Sequence, residues 1–222
     1  MLARLSLLCL SIYSILSAQD IPVEMEILSW SPRVFLIHNF LSDAECDRII
    51  ELAKPDLRRS TVVDDSKVSG KIDESRTSQG MFFTGPAQDP MLRAIEERIA
   101  KVTLIPKENG EAIQVLNYQV NQEYRPHYDY FDPATIGGMA NYQRGGQRVA
   151  TLIMYLHTTQ TGGETVFPKA NLKIAPKKGN AVLFYNCTLD GKEDPMSLHG
   201  GAPVIQGEKW IATKWMRTGK FK

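Results

Sequence analysis

The chain has 222 residues, of which 43% are hydrophobic, 23% charged and 9% aromatic. This composition is typical of a globular protein and excludes a disordered or repeat protein, while the length suits one domain with a substantial core. The 26 Lys and Arg residues balance 25 Asp and Glu residues, for a formal net charge of +1. No long run of one sign provides a surface for nucleic acid or membrane, so we expect no nucleic-acid partner. The sequence does not indicate the assembly state, and a monomer is the working expectation.

The first 18 residues predict a secretory signal peptide. Arg4 precedes an apolar stretch, residues 5–16, and two small residues follow it. The stretch is too short to cross about 30 Å of hydrocarbon, so no stable membrane span is expected after cleavage. We assign residues 1–18 to the signal peptide and 19–222 to one domain, with an uncleaved anchor or an N-terminal strand as alternatives. A signal peptide directs the chain to the secretory pathway, and we expect the endoplasmic reticulum lumen.

Two cysteines lie beyond the proposed signal peptide, Cys46 and Cys187. They are too few for a disulfide framework, and both a single pair and two separately buried thiols stay open. Asn186 begins an N-x-T sequon, which matters only if the chain is secreted.

Two helices are predicted after a strand-like N-terminal region. Apolar and polar side chains alternate within residues 24–40, which predicts strands. Ser42 and Glu45 have the spacing of a capping box, in which each side chain satisfies a free backbone N–H of the other residue. Asp89 and Pro90 suit the N-cap and first position of a second helix, which carries one apolar stripe.

The remainder of the chain is dominated by short predicted strands. They are rich in β-branched and aromatic residues and cover residues 112–118, 148–156, 165–167, 180–185 and 209–216. This order predicts an α+β, mainly β fold, namely a double-stranded β-helix or jelly roll with N-terminal supporting helices. Two polar segments, residues 64–78 and 132–146, are predicted to be mobile loops that act as lids.

His127 and Asp129 lie two positions apart in YRPHYDYF, so in an extended chain they face the same side. The pair alone is weak evidence of a metal site. His199, at the start of another predicted strand, could complete a site of two histidines and one carboxylate. Such a facial triad leaves coordination positions open and is associated with non-haem Fe(II) oxygenases, whereas a structural zinc site takes four protein ligands.

Lys209 begins the predicted strand KWIATKWMR. Alternation places Lys209, Ile211, Thr213 and Trp215 on one face of that strand. If this face lines the interior, the buried ammonium needs an anionic partner, and a dicarboxylate cosubstrate would supply one. The alternative is a solvated Lys209 with the opposite face of the strand in the core.

Together these motifs resemble the catalytic domain of the plant-type and collagen-type prolyl 4-hydroxylases, which are 2-oxoglutarate- and Fe(II)-dependent dioxygenases. The similarity extends over residues 27–215, and its segments are, in chain order, RTSQG, YRPHYDYF, GGQRVATLIMYL, GGETVFP and LHGGAPVIQGEKWIATKW. The resemblance implies conversion of peptidyl proline in proline-rich or collagen-like secretory proteins to 4-hydroxyproline, with Fe(II), 2-oxoglutarate, O2 and ascorbate. Succinate and CO2 would be released. Hydroxylation of another residue, such as lysine, and a noncatalytic module that binds proline-rich peptides are the alternatives.

The resemblance also implies roles for individual residues. Iron would be held by His127, Asp129 and His199. Lys209 would pair with the distal carboxylate of 2-oxoglutarate, which Tyr118 and Thr165 would help to hold. In having lysine rather than arginine at position 209, the chain resembles the collagen and plant branch of the family.

The peptide substrate is expected to bind as a polyproline II helix, which proteins commonly grip with aromatic faces. The expected substrate residues are Arg76, Tyr124, Arg148 and Trp215. Tyr128 is left out, because its parity opposes that of the metal ligands and predicts inward packing. Arg217 departs from the family pattern, since relatives often have histidine there.

Overall fold

Residues 24–84 and 89–222 are described by a computed structural model. The proposed signal peptide lies outside these ranges. Within them, none of the helices combines the length and apolar character needed to cross a membrane.

The described residues form three α-helices and fourteen strands. The helices are α1 (Asp43–Ala53), α2 (Pro90–Thr103) and α3 (Ile136–Tyr142). The strands are β1 (Glu24–Trp30), β2 (Arg33–His38), β3 (Arg58–Arg59), β4 (Gln79–Phe82), β5 (Gln114–Tyr118), β6 (Tyr124–His127), β7 (Arg148–Tyr155), β8 (Thr161–Gly162), β9 (Thr165–Phe167), β10 (Leu172–Ile174), β11 (Ala181–Tyr185), β12 (His199–Gly201), β13 (Val204–Gln206) and β14 (Lys209–Arg217).

Antiparallel pairing joins these strands into two main sheets. The larger sheet has the order β1-β2-β11-β7-β14-β5-β4-β3, and the smaller has the order β10-β9-β12-β6. Strands β13 and β8 form a separate pair. This is the predicted jelly roll, in which strands distant in sequence become neighbours.

The central strands of the larger sheet are buried on both faces. In β7, Leu152 and Met154 belong to the outer hydrophobic cluster, which includes Ile49 of α1 and Ile95 of α2. The alternate residue Tyr155 belongs to the inner cluster between the two sheets. Successive side chains of a central strand therefore point alternately toward the helices and toward the space between the sheets.

Both predicted helix starts are confirmed. The Ser42 hydroxyl accepts from the backbone N–H of Glu45 at 3.2 Å, and the Glu45 carboxylate accepts from the backbone N–H of Ser42 at 2.8 Å. Asp89 caps α2 by accepting from the N–H of Met91 at 2.9 Å. Arg98 of α2 also donates to Glu45 at 2.8 Å, which joins the two supporting helices.

The two segments predicted as lids are more structured than the sequence suggested. Residues 132–146 contain α3, which was missed because its seven residues include two glycines of low helix propensity. A Cβ on Gly137 would lie 2.0 Å from the Asp64 carbonyl oxygen, so glycine is required where α3 meets the other segment. The Thr135 hydroxyl adds a hydrogen bond to Asp65 at 3.3 Å. Their action as lids stays a prediction.

The two cysteines are free and separately buried, so they do not form a disulfide. The thiol of Cys46 contacts the Tyr155 carbonyl, and that of Cys187 contacts the Arg148 carbonyl. Burial raises the pKa of each thiol to about 11. Asn186 is 0% exposed, so its sequon offers no surface for a glycan in the folded protein.

Candidate active site

The three predicted metal ligands converge at the mouth of the space between the sheets. His127 ends β6 and His199 begins β12, and the two residues are paired across these neighbouring strands. Asp129 follows just beyond β6. The ligand atoms of all three side chains lie within 4.8 Å of one another. His127 Nε2 is 3.6 Å from Asp129 Oδ1, and His199 Nε2 is 3.5 Å from Asp129 Oδ2.

Backbone carbonyls fix both imidazole rings in the tautomer that a metal requires. His127 Nδ1 lies 2.9 Å from the Arg125 carbonyl oxygen, and His199 Nδ1 lies 3.0 Å from that of Ser197. Because a carbonyl oxygen can only accept, each Nδ1 carries a hydrogen, and in the neutral ring Nε2 then holds the lone pair that a metal binds. Burial lowers the pKa of His199 to about 4, against the attraction of Asp129, so this ring is neutral at physiological pH.

Asp129 is held as an ionised carboxylate. Burial acts to raise its pKa, but the polar groups around the carboxylate, among them the charge of Arg148, outweigh burial and hold the pKa well below its usual range. Its Oδ2 accepts from the hydroxyl of Thr151 at 2.7 Å and from the indole N–H of Trp215 at 2.9 Å. Two imidazoles and one fixed carboxylate are the donor set of an Fe(II) facial triad, so these residues fit iron.

A pocket extends inward from the three ligands. Lys209 lines this pocket and is 3% exposed, with its ammonium 5.6 Å from the Tyr118 ring centroid. No hydrogen-bond acceptor in the described part of the chain reaches the Lys209 ammonium. Burial lowers the pKa of Lys209 to about 8, against a weak attraction from Glu164. The buried, unpaired ammonium therefore suits an anionic ligand.

The alternation predicted for β14 is confirmed. Ile211, Thr213 and Trp215 line the same pocket as Lys209. On the opposite face, Lys214 is also buried but has a partner, since its ammonium donates to Glu96 at 2.6 Å. The solvated-lysine alternative for Lys209 is wrong, because β14 lies in the interior of the larger sheet and both of its faces are covered.

Tyr118 and Thr165, the other two residues expected at the cosubstrate, also line the pocket. The Thr165 hydroxyl accepts from the Tyr155 hydroxyl at 2.8 Å. Burial raises the pKa of Tyr155 well above its ordinary value, so its phenol stays protonated as a donor.

A larger cleft opens onto His127 and Asp129 from outside. All four residues expected to bind substrate line this cleft: Arg76, Tyr124, Arg148 and Trp215. The Tyr124 ring stacks on His127 with 3.5 Å between ring centroids, and the Arg76 guanidinium lies 4.8 Å from the Tyr124 centroid. Aromatic and cationic side chains therefore line the cleft beside the proposed iron site.

Two guanidinium groups near the cleft, those of Arg148 and Arg217, form ion pairs within the protein. Arg148 donates to both oxygens of Glu111 at 2.6 and 2.8 Å and lies 4.1 Å from the Trp215 ring centroid. Arg217, the departure from the family pattern, is buried and also donates to Glu111 at 2.6 Å. Burial acts to raise the pKa of Glu111, but Arg148 and Arg217 hold it below its ordinary value. Direct contact of Arg148 with substrate stays a prediction.

The expectation that Tyr128 packs inward is wrong. Its ring is half-exposed and stacks on Tyr130 with 4.6 Å between centroids. Lys169 donates to the Tyr128 hydroxyl at 3.0 Å. Strand β6 ends at His127, so strand alternation does not extend to Tyr128.

Sequence reasoning missed Glu111, Thr151 and Asn186. A signal for Thr151 was present, since it is the one polar residue in the apolar run VATLIMYL and shares its parity with Ile153, which lines the pocket. Glu111 and Asn186 carried no comparable signal, because their partners lie 35 or more positions away.

Comparisons with known proteins agree with this geometry. Residues 113–217 match the family model of the 2OG-Fe(II) oxygenase superfamily. The chain is 45% identical over 216 residues to Probable prolyl 4-hydroxylase 3 of Arabidopsis thaliana, covering 89% of this chain and 73% of that protein. It is 47% identical to Prolyl 4-hydroxylase 1 of the same plant, covering 88% and 72%.

Among solved structures, the chain is similar to the viral collagen prolyl hydroxylase of Paramecium Bursaria Chlorella virus-1 in its 2OG complex. The TM-score is 0.64 with 32% sequence identity, covering 82% of this chain and 94% of that chain.

Proposed function

We propose, because the chain belongs to the prolyl 4-hydroxylase family of 2-oxoglutarate- and Fe(II)-dependent oxygenases, that it hydroxylates C4 of peptidyl proline. O2 and 2-oxoglutarate are the cosubstrates, and succinate and CO2 are the other products. One observation carries the proposal. His127, Asp129 and His199 lie together and line the same pocket as Lys209, whose buried ammonium is unpaired.

Each end of the pocket has a separate task. Fe(II) bound with 2-oxoglutarate supplies the oxidation that places one atom of O2 in a C–H bond while the cosubstrate loses CO2. His127 and His199 would offer their Nε2 atoms, and Asp129 would offer a carboxylate already fixed by its donors. Lys209 would bind the distal carboxylate, which sets the direction of the cosubstrate in the pocket.

The outer cleft would bind the substrate peptide. A polyproline II chain has no internal hydrogen bonds and presents flat proline rings, which suit the face of Tyr124. The ring of Trp215 is 6% exposed and its indole N–H is bound to Asp129, so this residue offers a limited surface to the peptide. Proline-rich or collagen-like secretory proteins are the proposed substrates.

The proposed location is the endoplasmic reticulum lumen, supported by the apolar stretch at residues 5–16. Ascorbate is proposed as an additional reductant, in keeping with the resemblance to the collagen-type enzymes. Both statements are tested by measuring export of the full chain into the lumen and turnover with and without ascorbate.

The decisive experiment is incubation of the protein with a polyproline peptide, Fe(II), 2-oxoglutarate and ascorbate. Mass analysis should find added oxygen on proline, with an equal amount of succinate. The matched control is the same peptide with lysine in place of a proline, since oxygen on lysine would identify the alternative hydroxylase. Peptide binding without succinate release would instead identify a noncatalytic binding module.

A further inference from the structure

The side chains of Asn186 and Thr151 form a hydrogen-bonded relay that ends on Asp129. Asn186 Nδ2 donates to Thr151 Oγ1 at 2.9 Å, and this hydroxyl donates in turn to Asp129 Oδ2 at 2.7 Å. Thr151 and Asn186 are both 0% exposed. Since the amide hydrogen occupies a lone pair of the hydroxyl oxygen, the hydroxyl hydrogen is left to point at the carboxylate.

Strand register places the donors of the relay on one face. Thr151 of β7 lies opposite Trp215 of β14, and the indole of Trp215 is the second donor to Oδ2. On its other side, β7 pairs with β11, and Asn186 follows the last residue of β11. Two adjacent strands therefore supply the donors to one oxygen of the carboxylate, and Asn186 supports that oxygen through Thr151.

The two oxygens of Asp129 are consequently not equivalent. Oδ2 accepts from two neutral donors, while no hydroxyl, amide or indole donor of the described residues reaches Oδ1. An oxygen that already accepts two hydrogen bonds is the poorer ligand, because its lone pairs are engaged.

Asn186 also carries a cost that packing alone does not explain. Its Oδ1 is buried without a hydrogen-bond partner among the described residues. An unpaired buried amide oxygen destabilises a fold, and an apolar side chain of similar shape would avoid that cost. We therefore attribute the asparagine at this position to the hydrogen bond that its Nδ2 donates.

We propose that Asn186 and Thr151 are positioning residues that hold Oδ2 of Asp129, so that Oδ1 is the oxygen presented to the metal. Asn186, the first residue of the N-x-T sequon, then supports the metal site. This inference rests on the proposed function only in requiring a metal at the triad, and it does not depend on the residue that is hydroxylated.

The test is anaerobic titration of the full chain with Mn(II), without peptide, followed by electron paramagnetic resonance. Thr151→Val keeps the shape of the side chain and removes the hydroxyl, so Mn(II) affinity should fall about 10- to 100-fold. Thr151→Ser restores the hydroxyl and should recover most of the affinity and the wild-type spectrum of the bound ion. Equal affinities and spectra for the two variants, at wild-type melting temperature, would overturn the relay.

A second pair of variants separates the relay from the sequon and decides the question if Thr151→Val does not fold. Asn186→Leu removes the donor, whereas Thr188→Ala destroys the sequon and leaves Asn186 in place. The relay predicts weaker Mn(II) binding for Asn186→Leu alone. Equal affinity in these two variants contradicts it. If none of the proteins, wild type included, binds Mn(II), the proposed function itself fails.

Discussion

The two ends of the pocket are prepared for their ligands in opposite ways. At the triad, hydrogen bonds already hold the three side chains, since carbonyl oxygens fix both imidazoles and two donors fix Asp129. At the inner end, the ammonium of Lys209 is buried with no hydrogen-bonding partner in the described part of the chain. One end is complete before its ligand arrives, and the other is completed by it.

This difference matters for the order of energetic effects. Removal of a residue from the completed end frees buried donors and disturbs the fold as well as the site. Removal of Lys209 instead relieves an unfavourable burial in the unliganded protein. Variants at the two ends should therefore change stability in opposite directions while both impair the reaction.

The largest effect is expected for Asp129→Ala. Loss of one of three ligands should abolish Fe(II) binding and coupled succinate release. The donors of Thr151 and Trp215 would lose their acceptor, so the melting temperature should also fall. Metal titration, succinate assay and thermal unfolding measure the three effects. Unchanged turnover in a folded variant would remove Asp129 from the site.

Lys209→Met should raise the KM for 2-oxoglutarate by about 30-fold or more, because an unpaired carboxylate in an apolar pocket costs about 2–5 kcal/mol. The same change should raise the melting temperature of the unliganded protein.

Lys214 provides a matched control for this variant on the opposite face of β14. It is equally buried but donates to Glu96, so Lys214→Met should lower the melting temperature and leave the KM for 2-oxoglutarate unchanged. Equal effects of the two variants on KM would show that strand packing, and not the charge of Lys209, governs binding of the cosubstrate.

Trp215→Phe should weaken Fe(II) binding by about tenfold, since it deletes the N–H that holds Asp129 while keeping an aromatic ring beside Arg148. Trp210→Phe, in the outer cluster of the same strand, is the control and should leave metal affinity unchanged. An unchanged metal affinity with a raised peptide KM in Trp215→Phe would favour the substrate contact expected from the sequence.

The sequence predicted the features whose signals are local. Ser42 and Asp89 marked the two helix starts, and alternation along β14 put Lys209 on one face with Ile211, Thr213 and Trp215, because caps and strand faces depend on a few neighbouring residues. Alternation left open whether this face lines the interior. The triad required His199 to meet His127 across 72 positions, and here the family resemblance supplied what spacing alone left open.

The supports of the site were not predictable in this way. Thr151 reaches Asp129 only through strand register, and Glu111 meets Arg148 and Arg217 only because β5, β14 and β7 lie side by side. Tyr128 shows an error of a different kind. A local pattern, strand alternation, was extended one residue past the end of β6.

The last expected effect is a pH dependence confined to the inner end of the pocket, which needs no substitution. The pKa of Lys209 is lowered to about 8, so its ammonium loses its proton as the pH rises through that value. Binding of 2-oxoglutarate should then weaken, by about tenfold per pH unit well above pH 8, because only the protonated amine attracts the carboxylate. Isothermal titration of the Mn(II)-loaded protein across this range measures the trend.

Stability of the unliganded protein should change in the opposite sense to affinity. Above pH 8 and below the ordinary lysine pKa of 10.5, the unfolded chain holds a proton that folded Lys209 has released, so stability rises with pH in this window. Lys209→Arg is the control, because arginine keeps its charge throughout and both pH trends should disappear. A wild-type pH dependence of 2-oxoglutarate binding that survives in this variant would assign the trend to a group other than Lys209.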